Sequence, residues 1–181
     1  MSNSKTLLLN GSPNQNGHTL SLAKKIFNIN EDDRLNAYDL NVNSCDDCKV
    51  CHHTMDCKFG DDMALFLNRL KEAKTLIIVS PIYFGSLTDK IMKVINRMQM
   101  VFERKFTHYK PYTTVEHLYT VSTCGVNNDQ MFEGAKRTHE ILTSLLDAKQ
   151  AAFLSFGGTD TAYPPLDLIE QYKTMIQQKN R

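Results

Sequence analysis

Two short segments carry residue types that could do chemistry, and the first is a polar loop near the amino terminus. It reads Gly11-Ser12-Pro13-Asn14-Gln15-Asn16-Gly17-His18-Thr19. Hydroxyls, side-chain amides and the free backbone N–H groups at the start of a helix can together surround a phosphate. A loop rich in hydroxyls and poor in charge fits one doubly negative phosphate monoester. An ordinary turn is the alternative, because Gly, Pro and Asn are common in turns.

Two better-known phosphate-binding patterns do not match this loop. A nucleotide P-loop has four residues between its glycines and continues with Lys. Here five residues separate Gly11 from Gly17, and His18 follows in place of Lys. The loop also lacks the G-x-G-x-x-G pattern of dinucleotide sites. The sequence therefore argues against a nucleotidase and against a dinucleotide bound at this position.

The second segment is a compact run of four cysteines, Cys45-x2-Cys48-x2-Cys51-x5-Cys57. Three thiols at intervals of three, followed by one slightly farther on, are typical of the ligands of an iron–sulfur cluster. A zinc site usually brings two ligand pairs that lie a dozen or more residues apart, so zinc is the second interpretation. Unliganded thiols in a loop are the third. A disulfide framework would spread its cysteines along the chain.

The composition is that of an ordinary globular chain. It has 181 residues, of which 41% are hydrophobic and 23% are charged. Lys and Arg number 21 and Asp and Glu number 20, and a net charge of +1 argues against nucleic acid or an anionic membrane as the main partner. No apolar run is long enough to span a bilayer or to act as a secretory leader. We expect a single cytoplasmic domain over residues 1–181.

Hydrophobic periodicity predicts the elements that must position these two segments. The predicted strands are Lys5–Asn10, Arg34–Leu40, Thr75–Ser80, His117–Thr123 and Ala151–Phe156. The predicted helices are Thr19–Phe27, Asp61–Ala73, Leu87–Phe102, Asn128–Leu146 and Pro165–Gln177. The cysteine run lies in a predicted loop, Asn41–Gly60.

This alternation of strands and helices predicts a parallel sheet with helices on both faces. Five strands in this pattern fit the order 2-1-3-4-5, which is the flavodoxin-like three-layer α/β sandwich. Ligands of such sheets bind beyond the carboxyl ends of the strands. Three segments should therefore meet: Gly11–Thr19, Pro81–Ser86 and Thr123–Asn127.

A further pattern follows the third predicted strand, where Ser80-Pro81-Ile82-Tyr83-Phe84-Gly85-Ser86 leads to Lys93-Val94-Ile95-Asn96-Arg97. Together with the loop Gly11–Thr19, the cysteine run and Asp61-Asp62-Met63, it resembles the NAD(P)H-dependent FMN reductase family. The resemblance is greatest to the iron–sulfur flavoprotein branch of that family. Asn96 stands where the family often has Asp, which would remove an ion pair to Arg97.

The resemblance implies a bound FMN with specific contacts. Its phosphate would be bound by Ser12, Asn14, Asn16, His18 and Thr19. Its isoalloxazine ring would lie against Pro81, Ile82, Tyr83 and Phe84, with Ser122, Thr123, Cys124 and Gly125 on another side. A Pro-Ile-Tyr-Phe-Gly turn suits flavin, which needs an apolar wall and backbone donors. Core packing at a strand end is the alternative for Tyr83 and Phe84.

The activity that the resemblance implies is hydride transfer from NAD(P)H to FMN, followed by reduction of a small-molecule acceptor. That acceptor could be a quinone, a free flavin, a nitro- or azo-aromatic compound or an iron–sulfur partner. We assign no catalytic side chain, because the cofactor does the chemistry. The alternatives are an electron carrier without pyridine-nucleotide turnover and a redox-sensing module. The resemblance also implies a homodimer or higher homo-oligomer and supports a [4Fe–4S] cluster on Cys45, Cys48, Cys51 and Cys57.

Overall fold

A computed structural model describes residues 5–179, and its centre is a parallel sheet. The strands are β1 (Thr6–Asn10), β2 (Arg34–Asn36), β3 (Thr75–Tyr83), β4 (Ser86–Leu87), β5 (His117–Cys124) and β6 (Gln150–Gly157). Five of them lie parallel in the order β2-β1-β3-β5-β6, and β4 pairs antiparallel with the end of β3. Without the small β4, this is the predicted order 2-1-3-4-5, and the flavodoxin-like fold class is confirmed.

Helices cover both faces of this sheet within residues 5–179. They are α1 (His18–Ile26), α2 (Val50–Thr54), α3 (Met63–Glu72), α4 (Asp89–Arg97), α5 (Gln99–Phe106), α6 (Glu133–Leu146) and α7 (Leu166–Lys179). Apolar side chains of α1 and α7 form the core on one face, and those of α3, α4, α5 and α6 form it on the other. Within residues 5–179, every helix is too short or too polar to span a lipid bilayer.

The central strand β3 shows why its sequence is a continuous apolar run. Leu76 and Ile78 pack in the core beneath α3 and α4, whereas Ile77 and Val79 pack in the core beneath α1. Successive side chains of a strand point to opposite faces, so a strand with helices on both sides must be apolar throughout.

The structure differs from several of the predicted elements. β2 ends at Asn36 rather than Leu40, because Asn36 pairs with Asn10, where its partner β1 stops. The predicted helix Leu87–Phe102 begins later, since Leu87 belongs to the β3–β4 hairpin, and it breaks at Met98 into α4 and α5. The loop 41–60 contains the short helix α2, and residues 129–132 form a 3-10 turn before α6.

Candidate functional site

The loop between β1 and α1 is organised by a buried asparagine at the end of the strand. Asn10 Oδ1 accepts a hydrogen bond from Ser12 N (3.1 Å). Asn10 Nδ2 donates to Asn36 Oδ1 (3.1 Å) and to Gln15 Oε1 (3.3 Å). From the sequence, Asn10 was predicted only to end a strand. Its partner Asn36 lies on the neighbouring strand β2, so this hydrogen bond could be identified only from the structure.

A glycine lets this loop pass close to α4. A Cβ atom on Gly11 would lie 2.1 Å from Cγ1 of Ile91, a distance that no real side chain allows. Thr88 Oγ1 donates to Gly11 O (2.9 Å), and Gly11 N donates to Val79 O (2.6 Å). The start of the loop is therefore held between β3 and the beginning of α4.

The first turn of α1 presents uncapped backbone N–H groups at this edge. Gly17 is the N-cap residue and makes no side-chain capping bond, and the first turn carries no acidic residue. The N–H groups of a first helical turn lack intrahelical acceptors and carry partial positive charge. The loop beside them is ordered by Ser12 Oγ, which donates to Asn14 O (2.9 Å), and by Asn14 Oδ1, which accepts from Asn16 N (3.0 Å). This arrangement fits a phosphate group.

Two of the three predicted segments meet through a pair of buried hydroxyls. Thr19 Oγ1 in α1 and Thr123 Oγ1 in β5 lie 2.6 Å apart, and both residues are buried. The register pairs Thr123 with Pro81 of β3, so the third segment begins beside them. The carboxyl edge of the sheet therefore brings Gly11–Thr19, Pro81–Ser86 and Thr123 together.

The third segment is a tight hairpin that exposes aromatic rings. Ile82 pairs with Leu87, and the connecting residues Phe84 and Gly85 have φ angles of 50° and 76°. Phe84 is fully exposed and Tyr83 half-exposed, whereas the side chain of Ile82 is buried in the core. Tyr83 and Phe84 can therefore offer ring surfaces to a ligand, whereas Ile82 can offer only its backbone. The side chain of Cys124 is likewise in the core.

The chain after β6 adds a wall to this edge that the sequence did not predict. Thr159 donates from both N and Oγ1 to Cys124 O (3.1 Å each), and Asp160 N donates to Gly125 O (3.2 Å). The Tyr163 ring lies 5.2 Å from the His18 ring, and its hydroxyl is hydrogen-bonded to Ser21. This segment lacks a motif and reaches α1 only through the tertiary structure.

A tyrosine after β2 faces the same edge. Burial raises the pKa of Tyr38, and the nearby Asp89 raises it further, so its phenol stays neutral. Lys90 Nζ lies 5.9 Å from the centroid of the Tyr38 ring. Sequence reasoning did not single out Tyr38, which interacts electrostatically with Tyr83 of the hairpin.

The four cysteines of the run line one cavity, together with Arg97, Met100 and Glu103. Cys45 and Cys48 are exposed, and Cys51 and Cys57 are half-buried. Within residues 5–179, no three His, Cys, Asp or Glu side chains are grouped closely enough to hold a metal ion. Four cysteines that line one cavity match the number and type of ligands that a [4Fe–4S] cluster takes.

Arg97, at the end of α4, is buried beside this cavity and forms an ion pair with Asp61 (2.7 Å). Asn96 has no carboxylate to offer Arg97, and Asp61 supplies one from another element. Burial raises the pKa of Asp61, but hydrogen bonds from Arg97 and Asn43 outweigh it and hold the pKa at about 2. Asp61 is therefore ionised at neutral pH.

A second buried charge holds α2 against α5. Glu103 accepts a hydrogen bond from Thr107 Oγ1 (2.6 Å) and lies 3.0 Å from His52 Nδ1. The hydrogen bonds from Thr107 and His52 lower the pKa of Glu103. Burial raises the pKa of the neighbouring Cys51 thiol, and the negative charge of Glu103 raises it further.

A doubly wound parallel sheet in the order β2-β1-β3-β5-β6, with a polar loop after β1 at its carboxyl edge, defines a flavodoxin-like α/β protein. The sequence profile of the NADPH-dependent FMN reductase family matches residues 4–162. The chain therefore belongs to the NADPH-dependent FMN reductase family, and the expected resemblance is confirmed.

Curated relatives of the chain are iron–sulfur flavoproteins from archaea. One from Methanocaldococcus jannaschii is 29% identical over 98 residues, which cover 51% of this chain and 51% of the relative. One from Archaeoglobus fulgidus is 30% identical over 100 residues, which cover 53% of this chain and 49% of the relative. The chain thus spans about half the length of the curated relatives it matches.

Two solved structures with the same fold are flavoenzymes by name. An FMN-dependent NADH-azoreductase from Bacillus anthracis, solved with FMN, has a TM-score of 0.66 at 15% identity and covers 97% of both chains. An NAD(P)H:quinone oxidoreductase from Methanothermobacter marburgensis has a TM-score of 0.59 at 12% identity, covering 97% of this chain and 94% of the other. At these identities the likeness establishes the fold.

Proposed function

We propose that this protein is an FMN-dependent oxidoreductase that takes electrons from NAD(P)H and passes them to a small-molecule acceptor. The observation that carries the proposal is the loop Gly11–Thr19, where an uncapped helix start meets buried hydroxyls of Ser12, Thr19 and Thr123. Family membership and the names of the relatives support FMN as the ligand. When bound, FMN supplies the hydride acceptor and the electron donor for the second substrate.

One group of residues would hold the phosphate end of FMN, and another would hold its ring. The phosphate would be bound by Ser12, Asn14, Asn16, His18 and Thr19 through hydroxyls, amides and the first turn of α1. The hairpin Pro81-Ile82-Tyr83-Phe84 and the strand end Thr123-Cys124-Gly125 would hold the ring. No side chain acts as a general acid or base, so the protein binds and orients the reacting groups.

The exposed hairpin aromatics support a role in contacting planar substrates. Tyr83 is 50% exposed and Phe84 is fully exposed at the edge where ligands of this fold bind. Quinones, flavins and nitro- or azo-aromatic compounds are planar and stack on such rings. We propose acceptors of this class, in a cytoplasmic homo-oligomer with residues 1–181 as one domain.

A second candidate function comes from the cysteine run. We propose that Cys45, Cys48, Cys51 and Cys57 hold a [4Fe–4S] cluster, so that the protein could carry electrons without pyridine-nucleotide turnover. The shared cavity of the four thiols and the names of the curated relatives support this proposal. A hydrogen bond from Arg97 Nη2 to Cys57 Sγ (3.2 Å) suits a sulfur that carries negative charge as a ligand.

Anaerobic purification followed by three measurements tests both candidates. Titration of the protein with FMN should show saturable, stoichiometric binding, and stopped-flow mixing with NADH or NADPH should bleach the bound flavin. Flavin that binds but is not reduced by either nucleotide would favour the electron carrier. Failure to bind FMN would overturn the flavoenzyme proposal. Assays of iron and acid-labile sulfide test the cluster proposal. A protein that contains neither would overturn that proposal.

A further inference from the structure

The buried Arg97 side chain joins three separate parts of the chain around the cysteine run. It donates to Asn43 O (3.0 Å), which precedes the first cysteine, and to both carboxylate oxygens of Asp61 (2.7 and 3.2 Å), which follows the last. It also donates to Cys57 Sγ (3.2 Å), and its guanidinium lies 4.7 Å from the Phe59 ring centroid. Both ends of the run and its last thiol therefore depend on one side chain.

Stability alone does not account for this arginine. Replacing a buried ion pair by apolar side chains of similar volume is often neutral or stabilising. Arg97 is 2% exposed, and its Nε is buried without a hydrogen-bond partner, which adds a cost. Arg97 provides a planar set of donors that reaches acceptors on three segments at once. An apolar residue or a lysine cannot do this.

We propose that Arg97 is the positioning residue of the cysteine run, fixing Cys57 and both ends of the run and raising the reduction potential of the group that the cysteines bind. The part concerning the potential rests on the proposed function, in which the cysteines hold a cluster. A donor to a ligand sulfur stabilises the reduced state, because reduction adds negative charge to the cluster and its sulfurs.

The middle of the run has an independent anchor, which provides an internal comparison. Glu103 holds α2 through His52, and His108 Nε2 lies 2.8 Å from His52 O. Arg97 contacts neither α2 nor Cys51 in any of its hydrogen bonds. Loss of Arg97 should therefore loosen the two ends of the run, whereas loss of Glu103 should loosen α2.

Hydrogen–deuterium exchange of the full chain tests the positioning role in the wild type, Arg97→Lys, Arg97→Gln and Glu103→Gln. The amides of Asn43, Asp62 and Met63 are hydrogen-bonded around Asp61 and report on the two ends. Both Arg97 variants should raise exchange there by about tenfold, the effect of losing a charged hydrogen bond, and leave residues 50–55 near wild type. Glu103→Gln should raise exchange at residues 50–55 and leave exchange at the two ends of the run near wild type.

The lysine variant separates positioning from a simple ion pair. Arg97→Lys keeps a positive charge for Asp61, so its Tm should lie well above that of Arg97→Gln, while its exchange at the ends of the run stays high. If lysine restores both Tm and protection, Arg97 is only an ion-pair partner and the proposal is overturned.

The midpoint potential of anaerobically reconstituted protein tests the electronic part. Arg97→Lys should have a more negative midpoint potential than the wild type, whereas Glu72→Gln, whose side chain is exposed and outside the cysteine cavity, should have the same potential as the wild type. Equal potentials at equal iron content would overturn that part. If the wild type takes up no iron and sulfide, the cluster of the proposed function fails along with the electronic part, and the exchange pattern still decides the positioning role.

Discussion

Buried polar side chains are concentrated at the carboxyl edge of the sheet. Asn10, Ser12, Thr19, Thr88 and Thr123 are all at most 3% exposed and all hydrogen-bonded. Buried polar groups are costly unless they are paired, so such a concentration has to be held by a network. At this edge the network orders a loop and leaves the N–H groups of the first turn of α1 directed at the site.

Replacing Thr19 by Val should weaken FMN binding. The substitution keeps the shape of the side chain but removes one hydroxyl from the proposed phosphate site, at a cost of roughly 1.5–3 kcal/mol, or about 10- to 150-fold in Kd. Fluorescence titration with FMN measures the effect. Thr174→Val, which removes a hydroxyl bonded within α7, is the control. An unchanged Kd for Thr19→Val would remove Thr19 from the site.

Asp61 should make a large contribution to stability that disappears in acid. Its pKa is about 2 in the folded protein against an ordinary value of 3.8, so the contribution is complete above about pH 4 and is lost as the pH falls towards 2. Its size is about 2 kcal/mol. Urea unfolding at a series of pH values should show that the wild type is more stable than Asp61→Asn at pH 7 and that the gap narrows below pH 4.

Glu72→Gln is the matched control for this acid dependence, because Glu72 and its partner Lys5 are exposed. Exposed ion pairs contribute little to stability, so this variant should follow the wild type across the pH range. A gap between the wild type and Asp61→Asn that stays constant from pH 7 to pH 2 would contradict the assignment.

At the scale of elements, two departures from regular structure shape the site. β3 runs beyond the sheet to form a hairpin with β4, which carries Tyr83 and Phe84 above the edge. The break between α4 and α5 at Met98 leaves Arg97 at the end of α4, beside the cysteine cavity. The hairpin therefore places Tyr83 and Phe84 where a strand that ended at the sheet edge could not.

At Phe84, we expect a substitution that stabilises the folded protein to impair its function. This residue has a φ of 50°, which is unfavourable for a residue other than glycine or asparagine, and its ring is fully exposed. Phe84→Asn should raise the free energy of unfolding by about 1 kcal/mol and weaken FMN binding or slow flavin reduction by NAD(P)H.

Tyr109→Asn is a closely matched control for Phe84→Asn. Tyr109 has a φ of 54° and is 85% exposed, but it lies in the segment between α5 and β5, which enters the sheet at its opposite edge. Tyr109→Asn should raise the free energy of unfolding by a similar amount and leave the rate of flavin reduction unchanged. If Phe84→Asn also leaves flavin binding and reduction unchanged, Phe84 does not contact the cofactor or its substrates.

For the whole molecule, occupation of the site should be visible as a change in thermal stability. A ligand at 100 times its Kd adds about 2.7 kcal/mol to the free energy of unfolding, which corresponds to roughly 5–10 °C in Tm for a chain of this size. FMN should produce such a shift. Riboflavin has the same ring without the phosphate and should produce a much smaller one. Equal shifts would show that the loop Gly11–Thr19 does not bind phosphate.

Much of the architecture was predictable from local patterns. The apolar run of β3 and the stripes of α3 and α6 repeat with periods that belong to strands and helices, and their order restricts the sheet to a few topologies. The extent of β2, the hairpin strand β4 and the break at Met98 were not predictable. Each depends on where a neighbouring element stops or packs, which no local window contains.

The sequence by itself determined the alternation of strands and helices along the chain, the position of the polar loop at a strand end and the spacing of the four cysteines. These properties are local, because they follow from the periodicity and composition of short segments. Only the tertiary structure decided that Asp61 pairs with Arg97, that Thr19 meets Thr123 and that Tyr163 lies against His18. Those contacts join residues from 36 to 145 positions apart, so they exist only after hydrophobic burial has brought the elements together.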